Sequence, residues 1–171
     1  MPPGLHRWQA RADIKASTPT LPGGLHAWSA NATLEGGATT LALHELRLDS
    51  ELIELSAGGA LNPDANLDLH ARANLRKTAG QPFAAFLEST VRGAVDRESL
   101  SFQGQLAVNA TRIAGLPPIA ADLLGDSGRL LADFALSPKH LWIREAKLQA
   151  RTRASMSGEL DPDAGLLAAT F

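Results

Sequence analysis

The chain has 171 residues and a formal net charge of -2, with 16 basic and 18 acidic side chains. Its basic residues are dispersed, which excludes the basic footprint that a nucleic-acid partner would need. The absence of cysteine excludes disulfides, thiolate metal ligands and cysteine nucleophiles. No apolar run approaches the roughly 20 residues of a membrane-spanning helix.

Alternation of polar and apolar residues predicts β-strands from the start of the chain. Residues 5–16 place Trp8 and Ile14 on an apolar face, with polar and charged residues between them. Residues 28–34 alternate in the same way, with Trp28 and Leu34 on one side. Pro and Gly residues separate the two segments, and they therefore predict a turn between two strands.

The next two predicted strands cover residues 39–48 and 52–57. In the first of them, the leucines before residue 44 and the leucines after residue 45 have opposite parity. A regular strand would place the two pairs on opposite faces. We therefore expect a β-bulge or a short turn near His44 and Glu45 that restores the phase.

The remaining segments predict further strands and two helical inserts. Residues 81–96 carry apolar side chains at helical spacing after Pro82, which predicts the first insert. A second short helix is predicted at residues 117–124, before Gly125. The other predicted strands are residues 67–75, 99–111, 129–136, 141–150, 152–158 and 166–171.

One phrase occurs twice in the chain. The string SAGGALNPDA at residues 56–65 returns as SMSGELDPDA at residues 155–164, and each copy joins two apolar segments. Internal repetition around a turn signal is typical of stacked strand units. The sequence therefore predicts a mostly β fold of about ten antiparallel strands, as an extended sheet, a sandwich or a barrel.

We expect the chain to be a single excerpt of a larger repeat array, because strands are predicted at both of its ends. Its parts would be a first β segment at residues 1–78, the helical insert at 81–96, and a second β segment at 99–171 that includes the short helix 117–124. Unpaired strands at the ends of such an excerpt would invite association with other strands.

Catalytic and metal-binding patterns are weak in this sequence. The five histidines do not have metal-ligand spacing, and no phosphate loop or hydrolase nucleophile elbow is present. The Asn-Pro-Asp and Asp-Pro-Asp strings at residues 62–64 and 161–163 are typical of tight turns, whereas a calcium site needs about six oxygen ligands. We predict no enzyme activity, no metal site and no cofactor.

Several strings resemble the periplasmic repeats of one protein family. They are LPPIAADLLG at residues 116–125, GRL at 128–130, LWIREAKLQA at 141–150 and GELD at 158–161, together with LALHELRL at 41–48 and GAL at 59–61. In these strings the chain is similar to TamB-like proteins, the inner-membrane subunit of the translocation and assembly module, and to the wider AsmA-like group. The resemblance covers nearly the whole chain.

The resemblance implies a long curved antiparallel sheet, a β-taco or half-pipe, with an apolar concave face. It implies a periplasmic segment of an envelope-spanning protein, whose inner-membrane anchor we expect outside this chain. The implied function is to carry phospholipid along the apolar groove, to assist outer-membrane protein assembly and autotransporter secretion, or both. The implied partners are phospholipid acyl chains or unfolded outer-membrane β-strands, and an outer-membrane assembly subunit contacted through regions absent here.

Strand parity and the implied fold together give a set of candidate groove residues. These lipid-groove candidates are Trp8, Ile14, Trp28, Leu34, Leu41, Leu43, Leu67, Leu69, Leu106, Val108, Phe134 and Leu148. A smooth aliphatic face suits acyl chains better than a discriminating small-molecule pocket does.

Two other readings of the sequence stay open. A structural or adhesive β-domain would bury the same residues in a closed core and would have no affinity for lipid. A lipocalin-type binder would need a closed barrel and convergent polar groups in its pocket, and no such polar groups are evident in the sequence.

Overall fold

A computed structural model describes residues 7–16, 28–77, 82–138, 140–161 and 166–170. These residues form eleven strands and one helix, α1 (Pro118–Leu124). The strands are β1 (Trp8–Ala16), β2 (Trp28–Gly36), β3 (Leu41–Ser50), β4 (Ile53–Leu61), β5 (Asn66–Leu75), β6 (Ala84–Asp96), β7 (Ser101–Ala114), β8 (Gly128–Leu136), β9 (Leu141–Gln149), β10 (Arg153–Asp161) and β11 (Leu166–Thr170).

All eleven strands belong to one antiparallel sheet, and their order in space follows their order in the chain. Among the described residues β1 pairs only with β2, and β11 only with β10, so these two strands form the edges of an open sheet. The prediction of a mostly β, antiparallel fold is confirmed. β5 and β7, which come from the two predicted β segments, both pair with β6.

Alternation of residue type explains why these segments form strands. In β5 the half-buried positions, such as Leu67 and Leu69, alternate strictly with exposed positions such as Asp68 and His70. A strand turns successive side chains to opposite faces, so this pattern places all the apolar residues of β5 on one side.

β3 contains the bulge that the sequence predicts. Between β3 and β4 the pairing steps from Leu43 opposite Gly59 to Leu46 opposite Ala57. Two residues of β3 thus lie where the partner strand has one. The extra residue brings the leucines on both sides of the bulge to the same face of the sheet.

The same irregularity returns in β9, and it reveals a longer repeat. There the pairing steps from Ile143 opposite Gly158 to Ala146 opposite Met156. The string LALHELRLD at residues 41–49 corresponds to LWIREAKLQ at residues 141–149, and the twice-written phrase begins on β4 and on β10. The strands β2, β3 and β4 therefore recur as β8, β9 and β10, six strands further along the sheet.

The prediction of a helical insert at residues 81–96 is wrong, because residues 84–96 form β6. The predicted stripe relied on Leu87, Val91 and Val95, which are four residues apart. Four residues are close to one helical turn, but four is also an even number, so these side chains share one face of a strand as well. Valine favours a strand, and β6 pairs along its length with both β5 and β7.

The short helix predicted at residues 117–124 is confirmed as α1. Pro118 lies in its first turn, and Gly125 ends it with a φ of 69°. The backbone N–H and the hydroxyl of Thr152 both donate hydrogen bonds to the carbonyl oxygen of Leu123, at 3.1 and 2.9 Å. These bonds fix α1 to the β9–β10 turn at one end of the strands, with Ile119 exposed.

The described residues do not enclose an interior on both sides of the sheet. The buried apolar residues among them are Ala85 and Ala146, and no large side chain is fully buried. The accessible surface is 11656 Å², whereas a compact monomer of this mass would expose about 8,000 Å². Substantial contacts between elements join neighbouring strands only, so the sheet is a single layer.

Candidate functional site

One face of the sheet, which we call the apolar face, is built from aliphatic, aromatic and small residues. Residues directly opposite each other in an antiparallel pair lie on the same face, so cross-strand partners define rows that run across the strands. A central row from β1 to β10 consists of Ala10, Leu34, Leu43, Gly59, Leu69, Val91, Leu106, Ala132, Ala146 and Met156. It crosses the sheet without a polar side chain.

A second row lies next to the central one and crosses all eleven strands. It consists of Trp8, Gly36, Leu41, Leu61, Leu67, Gly93, Gly104, Phe134, Ile143, Gly158 and Ala169. Four of its members are glycines, and the others are alanine or larger apolar residues, which gives this row an uneven relief.

The register places eleven of the twelve sequence-predicted groove residues on the apolar face, and the side chain of the twelfth, Trp28, lies outside the described part of the structure. Leu34, Leu43, Leu69 and Leu106 belong to the central row, and Trp8, Leu41, Leu67 and Phe134 belong to the second row. Val108 and Leu148 share a third row, and Ile14 lies in a fourth. Their common side is thus established. Their role in holding lipid stays a prediction.

No charged residue occupies the apolar face among the strand residues whose side chains the structure describes. Its polar residues there are Ser50 and Ser89. The hydroxyl of Ser50 accepts a hydrogen bond from the backbone N–H of Ile53 at 3.1 Å and lies 3.2 Å from its carbonyl oxygen, so this buried hydroxyl is satisfied locally. The face therefore presents almost no hydrogen-bonding groups of its own.

Aromatic rings lie close to glycines on this face. A methyl group at Gly36 would overlap the indole of Trp8, and one at Gly93 or Gly104 would overlap the ring of Phe102. The ring centroids of Phe102 and Phe134 are 5.4 Å apart. Rings that cover glycines pack against the backbone of the sheet, so they project less from the apolar face.

The apolar face is much larger than the apolar patches of ordinary monomers. Eleven strands of about nine residues span roughly 50 Å by 30 Å, or about 1,500 Å². Monomeric proteins rarely expose contiguous apolar patches of more than a few hundred Å². Central residues such as Leu69 are half-buried by their neighbours, whereas 48% of Trp8 and 51% of Ile14 are exposed on β1.

The opposite face, which we call the charged face, carries cross-strand ion pairs. Arg72 and Glu88 are direct partners in the register, with 3.1 Å between Nε of Arg72 and Oε1 of Glu88. Arg92 and Asp68 are also direct partners, with 3.1 Å between Nε of Arg92 and Oδ2 of Asp68. Such exposed pairs contribute only about 0–1 kcal/mol each. A slip of one residue would move them to the apolar face, so they help to fix the register.

Recesses between described side chains also lie on the charged face. One of about 360 Å³ is bordered by Arg92, Asp133, Glu145 and Lys147. Glu145 and Lys147 form an ion pair at 2.8 Å on its border. A charged rim suits water and ions better than an acyl chain, so the apolar face is the stronger candidate site for an apolar ligand.

Asp96 is the one described titratable group with a clear pKa shift. The hydroxyl of Ser99 donates to its Oδ2 at 2.7 Å, and the backbone N–H of Glu98 donates to its Oδ1 at 3.0 Å. These hydrogen bonds lower the pKa of Asp96, and the bond from the Ser99 hydroxyl has the largest effect. Asp96 begins the turn between β6 and β7, so its environment fits a structural role in that turn.

The described residues contain no group of three or more His, Asp or Glu side chains that could hold a metal ion. Among the described helices, none has the length and hydropathy needed to cross a membrane.

Sequence parity missed several members of the apolar face. The predicted helix at residues 81–96 does not place Leu87 and Val91 on this face, although their even spacing is also a strand signal. Leu46 and Leu48 change parity at the bulge, and that bulge was itself predicted. Taken together with that bulge, the parity of both leucines indicates this face.

The chain matches no protein-family model, and it has no significant match among the curated proteins or the solved structures.

Proposed function

We propose that this chain is a periplasmic segment of a TamB-like or AsmA-like envelope protein, and that it carries phospholipid by holding acyl chains against its apolar face. The observation that carries the proposal is the uncharged apolar surface, which crosses the whole sheet without a second layer over it in the described residues. The resemblance of the repeated strings supplies the family and the location.

The proposal includes a curved sheet with the apolar face on its concave side. Bulges bend a strand and increase its local twist, and β3 and β9 carry equivalent bulges six strands apart. Bends that recur with the repeat would turn the sheet by similar steps. An apolar half-pipe of this kind would shield an acyl chain from water on more than one side.

Transport along such a face follows from the hydrophobic effect. A fully buried methylene contributes about 0.8 kcal/mol, and a methylene lying on an open face gains roughly half of that. The central row offers an acyl chain similar aliphatic contacts at Leu43, Leu69 and Leu106. An acyl chain that moves from one strand to the next would replace its contacts with similar ones. Sliding along the face would therefore cost less free energy than release into water.

The same face could hold unfolded outer-membrane β-strands, which also alternate apolar and polar residues. This would be the basis of a role in outer-membrane protein assembly and autotransporter secretion. The lack of hydrogen-bonding groups on the apolar face favours acyl chains, because a peptide backbone laid across it would lose hydrogen bonds to water.

The first test is native mass spectrometry of phospholipids that remain bound to the purified chain. We expect Leu69→Asp to abolish retention, because it places a charge in the central row. His70→Asp is the matched control, since it places the same charge on the same strand but on the charged face. It should retain lipid at the level of the unmodified chain.

Stability measurements complete the test. On an open face we expect Leu69→Asp to lower the free energy of unfolding by about 1–2 kcal/mol, whereas a charge in a closed core costs about 4 kcal/mol or more. A lipid-free, folded chain whose stability collapses in Leu69→Asp would contradict the proposal. That result would favour a structural or adhesive β-domain with a closed core.

A further inference from the structure

We propose that an arginine-lined recess at the α1 end of the charged face binds a phosphate group, either as free phosphate or as part of a phosphoester. The recess has a volume of about 790 Å³ and lies where β7, β8, β9 and β10 meet the loop after α1. Arg129, Arg151 and Arg153 line it, together with the amides of Asn109 and Gln149. The inference concerns the face opposite the acyl-chain site, and it does not depend on lipid transport.

The register sets two of these arginines on either side of one neutral residue. Arg129 on β8 and Arg153 on β10 are both direct partners of Gln149, which lies between them on β9. The three residues therefore share one face, and two strand spacings separate the Cα atoms of the arginines by roughly 10 Å. Arginine carries its guanidinium on a long stem, so both groups can reach one anion above Gln149. The other direct partner of Arg129 is Asn109, which is also neutral.

These two arginines have no acidic partner in the described part of the chain. The structure gives the side chains of Arg129 and Arg153 no ion pair and no hydrogen bond to another described residue. Two carboxylates do lie near the recess, because Asp126 borders it and Asp122 lies 3.9 Å from Arg151. The positive charges of Arg129 and Arg153 are therefore left without a counter-charge.

The repeat supplies an independent argument, because the equivalent row of its first copy binds a cation. There Asp49 and Glu54 are direct partners, and the guanidinium of Arg76 contacts both. Its Nη2 lies 2.8 Å from Oε2 of Glu54, and its Nη1 lies 3.4 Å from Oδ1 of Asp49. The repeat aligns this row, Ser29, Asp49 and Glu54, with Arg129, Gln149 and Arg153. The second copy has thus exchanged acidic residues for neutral and basic ones, so its row fits an anion.

The donors of the recess match a phosphate group in particular. Guanidinium groups bind phosphate oxygens through two parallel N–H···O bonds, and they do so more strongly than neutral donors. The side chain of Arg151 packs along Gly125, where an added methyl group would lie 3.7 Å from its Nε. This contact holds a third guanidinium beside the recess. The volume exceeds that of a phosphate ion several-fold, so it leaves room for the rest of a phosphoester.

Isothermal titration calorimetry with inorganic phosphate tests the site without any lipid, so its outcome is independent of the apolar face. We expect saturable binding by the unmodified chain. Arg129→Gln and Arg153→Gln should each weaken it at least about tenfold, because each removes charge-assisted hydrogen bonds.

Arg47→Gln is the matched control for these variants. Arg47 lies in the same row of the charged face between the neutral Asn31 and Ser56. The next arginine in that row, Arg72, is already paired with Glu88. Arg47→Gln should therefore bind phosphate as tightly as the unmodified chain. Equal weakening by Arg47→Gln and Arg129→Gln would overturn the proposal, since it would show a general effect of surface charge.

A further variant tests the charge of the site while keeping every arginine. Gln149→Glu has nearly the same shape but places a carboxylate between Arg129 and Arg153. We expect it to abolish phosphate binding and to raise the thermal midpoint in phosphate-free buffer by about 2 °C, because it supplies the missing counter-charge. Unchanged phosphate binding in Gln149→Glu would contradict a site at this position.

A short-chain phosphatidylglycerol, used below its micelle concentration, distinguishes the sources of the phosphate group. Affinity at least about tenfold higher than for inorganic phosphate, and lost in Arg129→Gln, would identify a lipid headgroup. Equal affinities would identify free phosphate or a soluble phosphoester. The absence of saturable binding of both probes below about 10 mM would overturn the proposal.

Discussion

Neighbouring residues of one strand have opposite surroundings, because their side chains lie on opposite faces of the sheet. Leu69 lies in the aliphatic central row, whereas Asp68 next to it is paired with Arg92 on the other face. The energetic consequence of a substitution here therefore depends on residue parity more than on position along the strand.

Asp96 gives a prediction at this scale. Its hydrogen bonds from Ser99 and Glu98 hold the pKa of the carboxyl below the ordinary value of about 3.9. A group with a lowered folded-state pKa contributes stability that is present above the unfolded value and is lost as the pH falls through the folded pKa. We expect Asp96→Asn to unfold with a smaller loss of thermal midpoint between about pH 5 and pH 2.5 than the unmodified chain.

The same experiment has a clear contrary result. Asparagine keeps an oxygen acceptor for the turn but carries no charge to lose. If the unmodified chain and Asp96→Asn show the same pH dependence of unfolding in this range, the hydrogen bonds of the Asp96 carboxylate do not stabilise the β6–β7 turn.

A strand could be predicted where the spacing of apolar residues fits the two-residue period of a strand and does not fit the 3.6-residue period of a helix. In β5 every apolar position has the same parity, so alternation predicts the strand and its faces together. In β6 the apolar spacing of four fits both a helix and a strand. Pairing with β5 and β7 decided the outcome, and that pairing is a tertiary effect that no local pattern contains.

The bulge of β3 allows a prediction at the scale of one element. Deleting His44 would leave LALELRL, a regular alternation with all its leucines on one face. We expect this deletion to keep the fold, with a loss of about 1 kcal/mol or less in the free energy of unfolding, because no side chain changes face. Chemical denaturation of the purified variant measures the loss.

Deletion of Arg72 from β5 is the control for this prediction. β5 has no bulge, so removing one residue would turn Ala73 and Leu75 to the charged face and Asn74 to the apolar face. We expect this variant to lose at least about 3 kcal/mol or to fail to fold. Equal effects of the two deletions would show that the bulge does not set the phase of β3.

At the scale of the whole molecule, the sequence indicated the common face of the candidate residues but not its architecture. Parity placed Leu43 and Leu69 among the apolar residues, yet only the register shows that both lie opposite Gly59 in one row. Whether another layer covers that row depends on the whole chain, so the sequence of a single strand does not predict it. The structure describes one open layer.

That open layer leaves a large apolar surface uncovered by any other described element. A face of about 1,500 Å² exceeds the few hundred Å² of an ordinary monomer several-fold. The proposed occupant is a set of acyl chains. The recurrence of β2, β3 and β4 as β8, β9 and β10 shows how such a surface grows by repetition.

The most direct measurement uses tryptophans on opposite faces. Trp8 lies on the apolar face and Trp142 on the charged face, and 48% and 37% of the two residues are exposed. Two variants would each keep one of them and carry phenylalanine at the other tryptophan positions. Phospholipid with brominated acyl chains quenches a tryptophan that it contacts. The account predicts quenching of Trp8 and none of Trp142, whereas equal quenching of both, or of neither, would contradict a lipid-bearing apolar face.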